Sequence, residues 1–219
     1  MHIMEGFLPI EWSVAWYVFS IPFIAYGAWR AKKIIEENPS NKALIAVAGA
    51  FIFVLSALKI PSVTGSCSHP TGTGIAVVLF GPAITAFLSA IALLYQALLL
   101  AHGGITTLGA NTASMGIIGP FAGWIVYRFA KKHLSVVSAT FIAAVVADWV
   151  TYVVTSIQLA LAFPADAGLS GILSSAAVFM GIFAVTQIPI ALIEGVVAAT
   201  LMKHLLQIKP EIKGAEVFA

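Results

Sequence analysis

The sequence predicts an all-α integral membrane protein of about seven transmembrane helices. Of its 219 residues, 60% are hydrophobic and only 9% carry a charge, and the mean hydropathy is +1.01. A soluble domain carries about 25% charged residues. Apolar stretches of about 20 residues recur along the chain, and in a bilayer a helix satisfies all the backbone polar groups of such a stretch.

Six apolar stretches are the candidate membrane-spanning helices. In chain order they cover residues 12–29, 43–58, 75–101, 115–127, 134–162 and 171–202. Their lengths are uneven, and the boundaries follow hydropathy alone. We expect a single transmembrane domain over residues 1–219, in which residues 1–11 precede the first helix.

Basic residues flank the connections between several of these stretches. They are Arg30, Lys32, Lys33 and Lys42, then Arg128, Lys131 and Lys132, then Lys203, Lys209 and Lys213. Lysine and arginine are concentrated on the cytoplasmic side of membrane proteins. We therefore expect these connections and the tail, residues 203–219, to be cytoplasmic, and the N-terminus to lie outside. The start of the chain lacks the basic region of a signal peptide, so we expect it to be retained.

This orientation predicts a hidden crossing in the middle of the chain. Residue 74 falls outside and residue 128 inside, and only an odd number of crossings joins them, yet two apolar stretches lie between. Gly81-Pro82 interrupts the first of these stretches, so we expect two shorter helices or a partly re-entrant helix there. The total becomes seven, with the C-terminus in the cytoplasm.

The middle region, residues 60–127, contains no Asp, Glu, Lys or Arg. Its polar side chains are neutral and are interspersed with glycines, which is unusual for a long water-exposed loop. Buried, irregular backbone that lines a cavity explains this pattern best. The alternative is a neutral extracellular loop packed on the bundle.

Motifs that are missing exclude several classes of function. The sequence contains no GxxxxGK[ST], HExxH, CxxC or GxSxG pattern, so neither ATP hydrolysis by a P-loop nor a common hydrolase site is indicated. A net charge of +2 is too small to indicate a nucleic-acid partner. Any ATP-driven work would need partner subunits.

The second residue, His2, indicates a metal chelate. With a free α-amine on Met1, the amine, the His2 amide and the His2 imidazole Nδ1 offer three nitrogens in succession, and the rings closed by the metal have five and six members. Only a strongly polarising ion such as Cu(II), Ni(II) or Co(II) displaces the amide proton, and such a nitrogen set favours a planar geometry. One planar position stays open. We therefore expect residues 1–11 to be a metal-chelating segment and the transmembrane domain to bind metal. The alternative is an ordinary surface histidine.

A fourth ligand must come from the same side of the membrane as residue 1. His133 and His204 lie beside lysines in cytoplasmic segments, which leaves His69 as first choice and His102 as second. For His102, a helix-end histidine that is hydrogen-bonded to backbone is a somewhat better explanation than ligation. Cys67 offers a softer donor, although a small buried hydrophobic residue is its more common role.

Four motifs carry a family resemblance that covers nearly the whole chain. They are MHIMEGFLP at the start, VTGSCSHPTGTG at 63–74, LFGP at 79–82 and QALLLAHGGITTLGANTASMGIIGP at 96–120. With them the chain resembles the CbiM/NikM family, the substrate-binding membrane component of cobalt or nickel energy-coupling factor transporters.

The resemblance implies a seven-helix capture subunit whose N-terminal segment inserts into the bundle. It implies a planar four-nitrogen site from Met1, His2 and His69, with Co²⁺ or Ni²⁺ as transported substrate, in the cell membrane of a prokaryote. It also implies a transmembrane coupling protein and two cytoplasmic ATPases as partners, often with a small accessory membrane protein. We expect cobalt as the named substrate, and nickel to bind as well.

Further residues are candidates for supporting roles. Ser68, Thr71, Asn111 and His102 are the candidates for contacts around the ligands. Asp148 and Glu194 are carboxylates in apolar stretches, and they either attract the cation or pin two helices together. The rival functions, an intramembrane metal-dependent enzyme and a passive metal channel, need an open coordination position or weak multi-site binding, respectively.

Overall fold

The computed structural model describes residues 1–61 and 65–208 of the chain. Residues 62–64 and the end of the expected tail, including Lys209 and Lys213, lie outside the described residues. Seven helices are present in the described part: α1 (Ile10–Glu37), α2 (Asn41–Ala57), α3 (Thr73–Leu100), α4 (Leu108–Asn111), α5 (Gly119–Ala130), α6 (Val136–Ala162) and α7 (Leu169–Ile208). A π-helical stretch, Thr112–Ile118, joins α4 to α5.

The expectation of a helical membrane protein is confirmed at this level. Three helices, α3, α6 and α7, are long and apolar enough to cross a membrane, and α2 is a shorter apolar helix. Helix α1 extends beyond the expected stretch and takes in basic residues that we placed at the first connection. There Lys32 and Lys33 pair with Glu36 and Glu37 one turn later, at 3.7 and 4.0 Å on the exposed surface.

Helix α3 is interrupted at the Gly81-Pro82 pair. Gly81 has φ 74° and ψ 172°, which is not a helical conformation, so α3 consists of two helical parts. The first part, residues 73–80, is buried along its whole length. A short helix buried inside a bundle is what a re-entrant segment requires. The break expected from the sequence is therefore where the structure has it.

The two parts of α3 run in opposite directions along α2. Three neighbours show the path: Gly72 packs on Ile52, Leu79 lines a cavity with Leu44, and the Gln96 side chain donates to the Phe53 carbonyl at 2.8 Å. The chain therefore descends along α2 and then returns. Both ends of α3 lie at the same end of the bundle.

The segment α4 to α5 begins earlier than the apolar stretch at 115–127 indicated. Gly109 allows this earlier part to pack against α1, because a Cβ there would lie 2.6 Å from the Tyr17 backbone nitrogen. Ser20 of α1 donates to the Gly109 carbonyl at 2.8 Å. Much of the charge-free region is thus buried helix that contacts α1.

Helices α5 and α6 approach closely through small residues. A Cβ on Gly123 would lie 2.6 Å from the Ala143 carbonyl oxygen, and one on Gly119 would lie 2.7 Å from that of Ala147. Ala139, Ala143 and Ala147 are fully buried. This alanine ridge therefore packs within the chain itself, as small residues at a close helix crossing do.

A small antiparallel sheet closes the end of the bundle where α3 begins and ends. Its strands β1 (His2–Ile3), β2 (Ile60–Pro61) and β3 (Ser66–Ser68) have the order β1-β3-β2. His2 is opposite Cys67 in this sheet. Met1, His2 and Ile3 are all 0% exposed, so the N-terminal segment is inserted into the protein.

Candidate metal centre

The inserted N-terminal segment is held by hydrogen bonds to its backbone. Asn111 accepts from the Ile3 amide at 2.7 Å and donates to the Ile3 carbonyl at 3.0 Å. Thr107 donates to the same carbonyl at 2.8 Å, and the Met4 amide donates to the Gly65 carbonyl at 3.0 Å. These contacts fix the direction of the chain, and they place the Met1 amine and the His2 side chain in the interior.

The loop after α3 closes over the His2 ring. A Cβ on Gly103 would lie 3.4 Å from Cδ2 of His2, and Gly103 has φ 73°. A Cβ on Gly104 would lie 2.2 Å from the Glu5 carboxylate, which accepts a 2.5 Å hydrogen bond from the Thr106 hydroxyl. Glycine is needed at these two positions because the N-terminal segment passes so close.

One ring nitrogen of His69 is available for a ligand in the interior. Its Nδ1 is 2.7 Å from the Pro70 carbonyl, and since a carbonyl only accepts, the proton lies on Nδ1. Its Nε2 is buried and has no hydrogen-bond partner within residues 1–61 and 65–208. A ring nitrogen held in this way, with the other N–H on a backbone carbonyl, is the usual arrangement of a metal-binding histidine.

The residues after His69 are anchored to α7 through Glu194. The Thr71 amide donates to the Glu194 carboxylate, as do the Thr71 hydroxyl at 2.8 Å and the Gly72 amide at 2.9 Å. Gly72 has φ 70°, and a Cβ there would lie 2.9 Å from Cα of Ile52. The carboxylate thus caps the buried half of α3, where a negative charge also complements the helix dipole.

A second carboxylate, Asp148, lies beside Glu194. Gln187 donates through Nε2 to Oδ1 of Asp148 at 2.5 Å and to the His69 carbonyl at 2.9 Å. Oδ2 of Asp148 has no hydrogen-bond donor among the described residues.

Four side chains converge beside the N-terminus. The candidate ligand atoms of His2, Cys67, His69 and His102 lie within 4.8 Å of one another. The His102 Nε2 is 3.0 Å from the His2 Nδ1 and 3.0 Å from the Cys67 sulfur. The His2 and His69 rings stack with centroids 4.3 Å apart.

Burial makes these nitrogens ready to bind a cation. It lowers the pKa of the Met1 amine, of His2 and of His69, and it lowers the pKa of His102 to about 3. At neutral pH the three imidazoles are therefore uncharged, and each ring keeps one nitrogen that carries a lone pair. Burial also raises the pKa of the Cys67 thiol, so the sulfur stays protonated in the absence of a metal.

The structure brings together the three residues expected as ligands, Met1, His2 and His69, at one buried position. Of the supporting candidates, Asn111 contacts Ile3 and Thr71 contacts Glu194. Ser68 faces α7, where its hydroxyl is 2.7 Å from that of Thr186. His102 touches His2 directly.

Cys67 is buried, as its expected packing role requires, and it lies opposite His2 in the sheet. Sequence reasoning missed Gln187, which links the His69 backbone to Asp148. A neutral residue in an apolar helix carries no signal that would have identified it.

Comparison with known proteins gives consistent family matches. The family described as "Cobalt uptake substrate-specific transmembrane region" matches residues 2–212. A relative from Archaeoglobus fulgidus, named CbiM for cobalt transport, is 68% identical over 97% of both chains. Another of the same name from Halobacterium salinarum is 61% identical, again over 97% of both.

Solved structures show a similar fold. A crystal structure described as a truncated transition metal transporter has a TM-score of 0.80 at 26% identity and covers 94% of this chain and 99% of its own. A second transition metal transporter has a TM-score of 0.81 at 25% identity, over 95% of this chain and 93% of its own.

Proposed function

Because the chain belongs to the CbiM family of cobalt uptake transmembrane proteins, we propose that it is the substrate-capture subunit of a cobalt importer. Membership of this family indicates a role in cobalt transport and not an enzymatic activity. The chain is a multi-pass membrane protein of a prokaryotic cell. The proposal adds how the metal is held, how the chain is oriented and what drives transport.

The proposal rests on one observation, which is that the N-terminus is buried beside a His69 nitrogen that makes no hydrogen bond to the described residues. Met1 and His2 are 0% exposed, and His69 Nε2 has no hydrogen-bond partner in the part of the chain that the structure describes. A buried polar atom without a partner is costly, and a bound metal ion would remove that cost.

The proposed site is planar and contains four nitrogens. The Met1 amine, the deprotonated His2 amide and the His2 Nδ1 occupy three positions of the plane, and the His69 Nε2 occupies the fourth. Co²⁺ is the proposed substrate, and Ni²⁺ binds as well because planar nitrogen sites suit it. Selection against Cu²⁺ comes from metal availability, since the site favours that ion intrinsically.

The proposed topology has seven segments and places the metal site outside. Counting the two parts of α3 separately and α4 to α5 as one, the described residues contain seven helical segments. Basic residues of α1 and of the segment after α5 then face the cytoplasm, in keeping with the positive-inside rule. The N-terminus lies outside and the C-terminus in the cytoplasm.

The proposed energy source is ATP hydrolysis by partner subunits. The chain carries no phosphate-binding loop motif, so a transmembrane coupling protein and two cytoplasmic ATPases would supply the work, with a small accessory membrane protein in some systems. Cells that lack their own cobalt uptake, given this chain with such partners, should accumulate cobalt, and ATP depletion should stop it. Accumulation that survives ATP depletion would contradict this part of the proposal and favour a channel.

Metal titration of variants tests the capture site itself. His2→Ala removes one chelating nitrogen and should weaken Co²⁺ binding at least about a hundredfold, which corresponds to about 2.8 kcal/mol. His133→Ala is the matched control, because His133 is exposed and lies in the connection between α5 and α6. Equal affinities for the two variants would rule out the proposed chelate.

A further inference from the structure

We propose that His102 is a fifth, axial ligand of the bound ion, and that this ligand makes the site prefer cobalt over nickel. The inference rests on the proposed planar chelate, since a plane filled by four nitrogens leaves only axial positions. It assigns to His102 a direct role in metal selection.

The spacing of two ring nitrogens supports the assignment. The His102 Nε2 lies 3.0 Å from the His2 Nδ1. Two nitrogens bound at about 2.0–2.1 Å to one ion, at right angles, lie about 2.9 Å apart. The hydrogen bond between these rings in the metal-free protein thus holds His102 at the distance of a neighbouring ligand. When a metal takes the His2 Nδ1 lone pair, that hydrogen bond is lost. The His102 proton then moves from Nε2 to Nδ1, and the neutral ring presents its Nε2 lone pair to the ion.

The backbone fixes His102 at this position. Ala101 has φ 47° and Gly103 has φ 73°, so left-handed residues on both sides end α3 and turn the chain. The His102 amide donates to the Gln96 carbonyl at 3.2 Å. The side chain is 2% exposed and its Nδ1 is buried without a partner. The end of α3 therefore fixes the position of His102. Among the described residues, its Nδ1 has no hydrogen-bond partner.

A small cavity borders the His102 ring. Its volume is about 130 Å³, and it is lined by Cys67, His102 and the residues around them. A cavity of this volume has room for a small ring such as imidazole.

An axial nitrogen affects the two ions differently. Planar Ni²⁺ has a filled axial orbital and gains little from a fifth ligand, whereas low-spin Co²⁺ has a single electron there and binds one. A strictly planar nitrogen site favours Ni²⁺ or Cu²⁺. An axial imidazole therefore accounts for a cobalt substrate in a site whose planar part alone suits nickel.

The test compares the two metals in one variant. Without oxygen, His102→Ala should weaken Co²⁺ binding at least about tenfold while Ni²⁺ affinity changes less than about threefold. Retained nickel binding shows that the variant is folded and that the planar chelate is intact. His133→Ala is the matched control, because His133 is an exposed histidine in the connection between α5 and α6, and it should leave the ratio of affinities unchanged. An equal loss of both metals, or no loss, would overturn the inference.

A spectroscopic readout separates an axial imidazole from an axial sulfur. In the electron paramagnetic resonance spectrum of the cobalt-loaded protein, one axial nitrogen splits the parallel lines into triplets. The triplets should be present in the native protein and in Cys67→Ser, absent in His102→Ala, and restored there by added imidazole, which fits the cavity. Triplets that persist in His102→Ala, or that are absent from the native protein, would contradict the assignment.

The two proposals fail in different ways. If the planar chelate is wrong, His2→Ala leaves binding of both metals intact. If only the axial ligand is wrong, His2→Ala still abolishes binding while His102→Ala has no selective effect on cobalt.

Discussion

The anchoring of the N-terminal segment by Asn111 gives a quantitative prediction. Ile3 is 0% exposed, and its amide has the Asn111 Oδ1 as acceptor at 2.7 Å. In Asn111→Ala this buried N–H loses its acceptor, which costs about 1–3 kcal/mol. The Ile3 carbonyl keeps its bond from Thr107 at 2.8 Å, so the loss is limited to one side of the clamp.

In Asn111→Ala, this loss of stability increases the fraction of molecules in which the N-terminal segment is released from the bundle. Since about 1.4 kcal/mol is a factor of ten, the released fraction should rise about 5- to 150-fold. The Met1 amine is buried in the inserted state, so an amine-directed reagent reacts only after local opening. The labelling rate of the metal-free N-terminal peptide, followed by mass spectrometry, should rise by the same factor.

A control and a refuting result accompany this measurement. Asn41→Ala removes an asparagine of α2 whose side chain donates to the Ile34 carbonyl at 3.4 Å, far from the N-terminus, and should not change the rate. Cobalt should suppress labelling in every variant that binds it. A rate for Asn111→Ala within twofold of the native rate would refute the idea that this clamp holds the segment in place.

Three further predictions follow from the same contacts. His69→Ala should weaken Co²⁺ binding at least about a hundredfold in a calorimetric titration. His204→Ala should not weaken it, because His204 is exposed and lies near the end of α7. Similar affinities for the two variants would exclude His69 as a ligand. Glu194→Ala leaves the Thr71 and Gly72 donors without an acceptor and should lower the free energy of unfolding by about 3–5 kcal/mol. Glu194→Gln keeps one acceptor oxygen and should lower it less. Equal stabilities of Glu194→Ala and the native protein would show that the cap is unimportant. The pKa of each buried imidazole is lowered in the folded state, so the unfolded chain binds more protons below its pKa of about 6.5. Metal-free stability should then be full above about pH 6.5 and fall by about 1.4 kcal/mol per pH unit per imidazole below it, and a flat profile between pH 7 and 5 would contradict the burial of neutral histidines.

Hydropathy and residue chemistry predicted a large part of this molecule. The apolar stretches became helices because a chain in a bilayer must satisfy its own backbone. The break at Gly81-Pro82 was visible because proline cannot donate to the preceding turn and glycine tolerates a left-handed φ. The proposed chelate could be suggested from the sequence because the Met1 amine, the His2 amide and the His2 Nδ1 follow one another in the chain, so no tertiary information is needed to place these three nitrogens together.

Tertiary contacts account for what the sequence did not reveal. His102 and His2 are 100 positions apart and touch because the α3 helix end turns over the inserted segment. The cap on the HPTGTG loop comes from Glu194, more than 120 positions later. Contacts between such distant positions depend on how helices pack, which single-residue patterns do not encode.

The most direct test of the account adds two residues, Gly-Ser, ahead of Met1. The extension leaves His2, His69 and His102 in the chain but converts the Met1 amine into an amide. Co²⁺ and Ni²⁺ titrations of the native and extended proteins should then differ by at least about a hundredfold, which is about 2.8 kcal/mol, while extension of the C-terminus by the same residues should have no effect. Unchanged binding in the N-terminally extended protein would contradict the N-terminal chelate and leave the histidine and cysteine side chains as the only ligands.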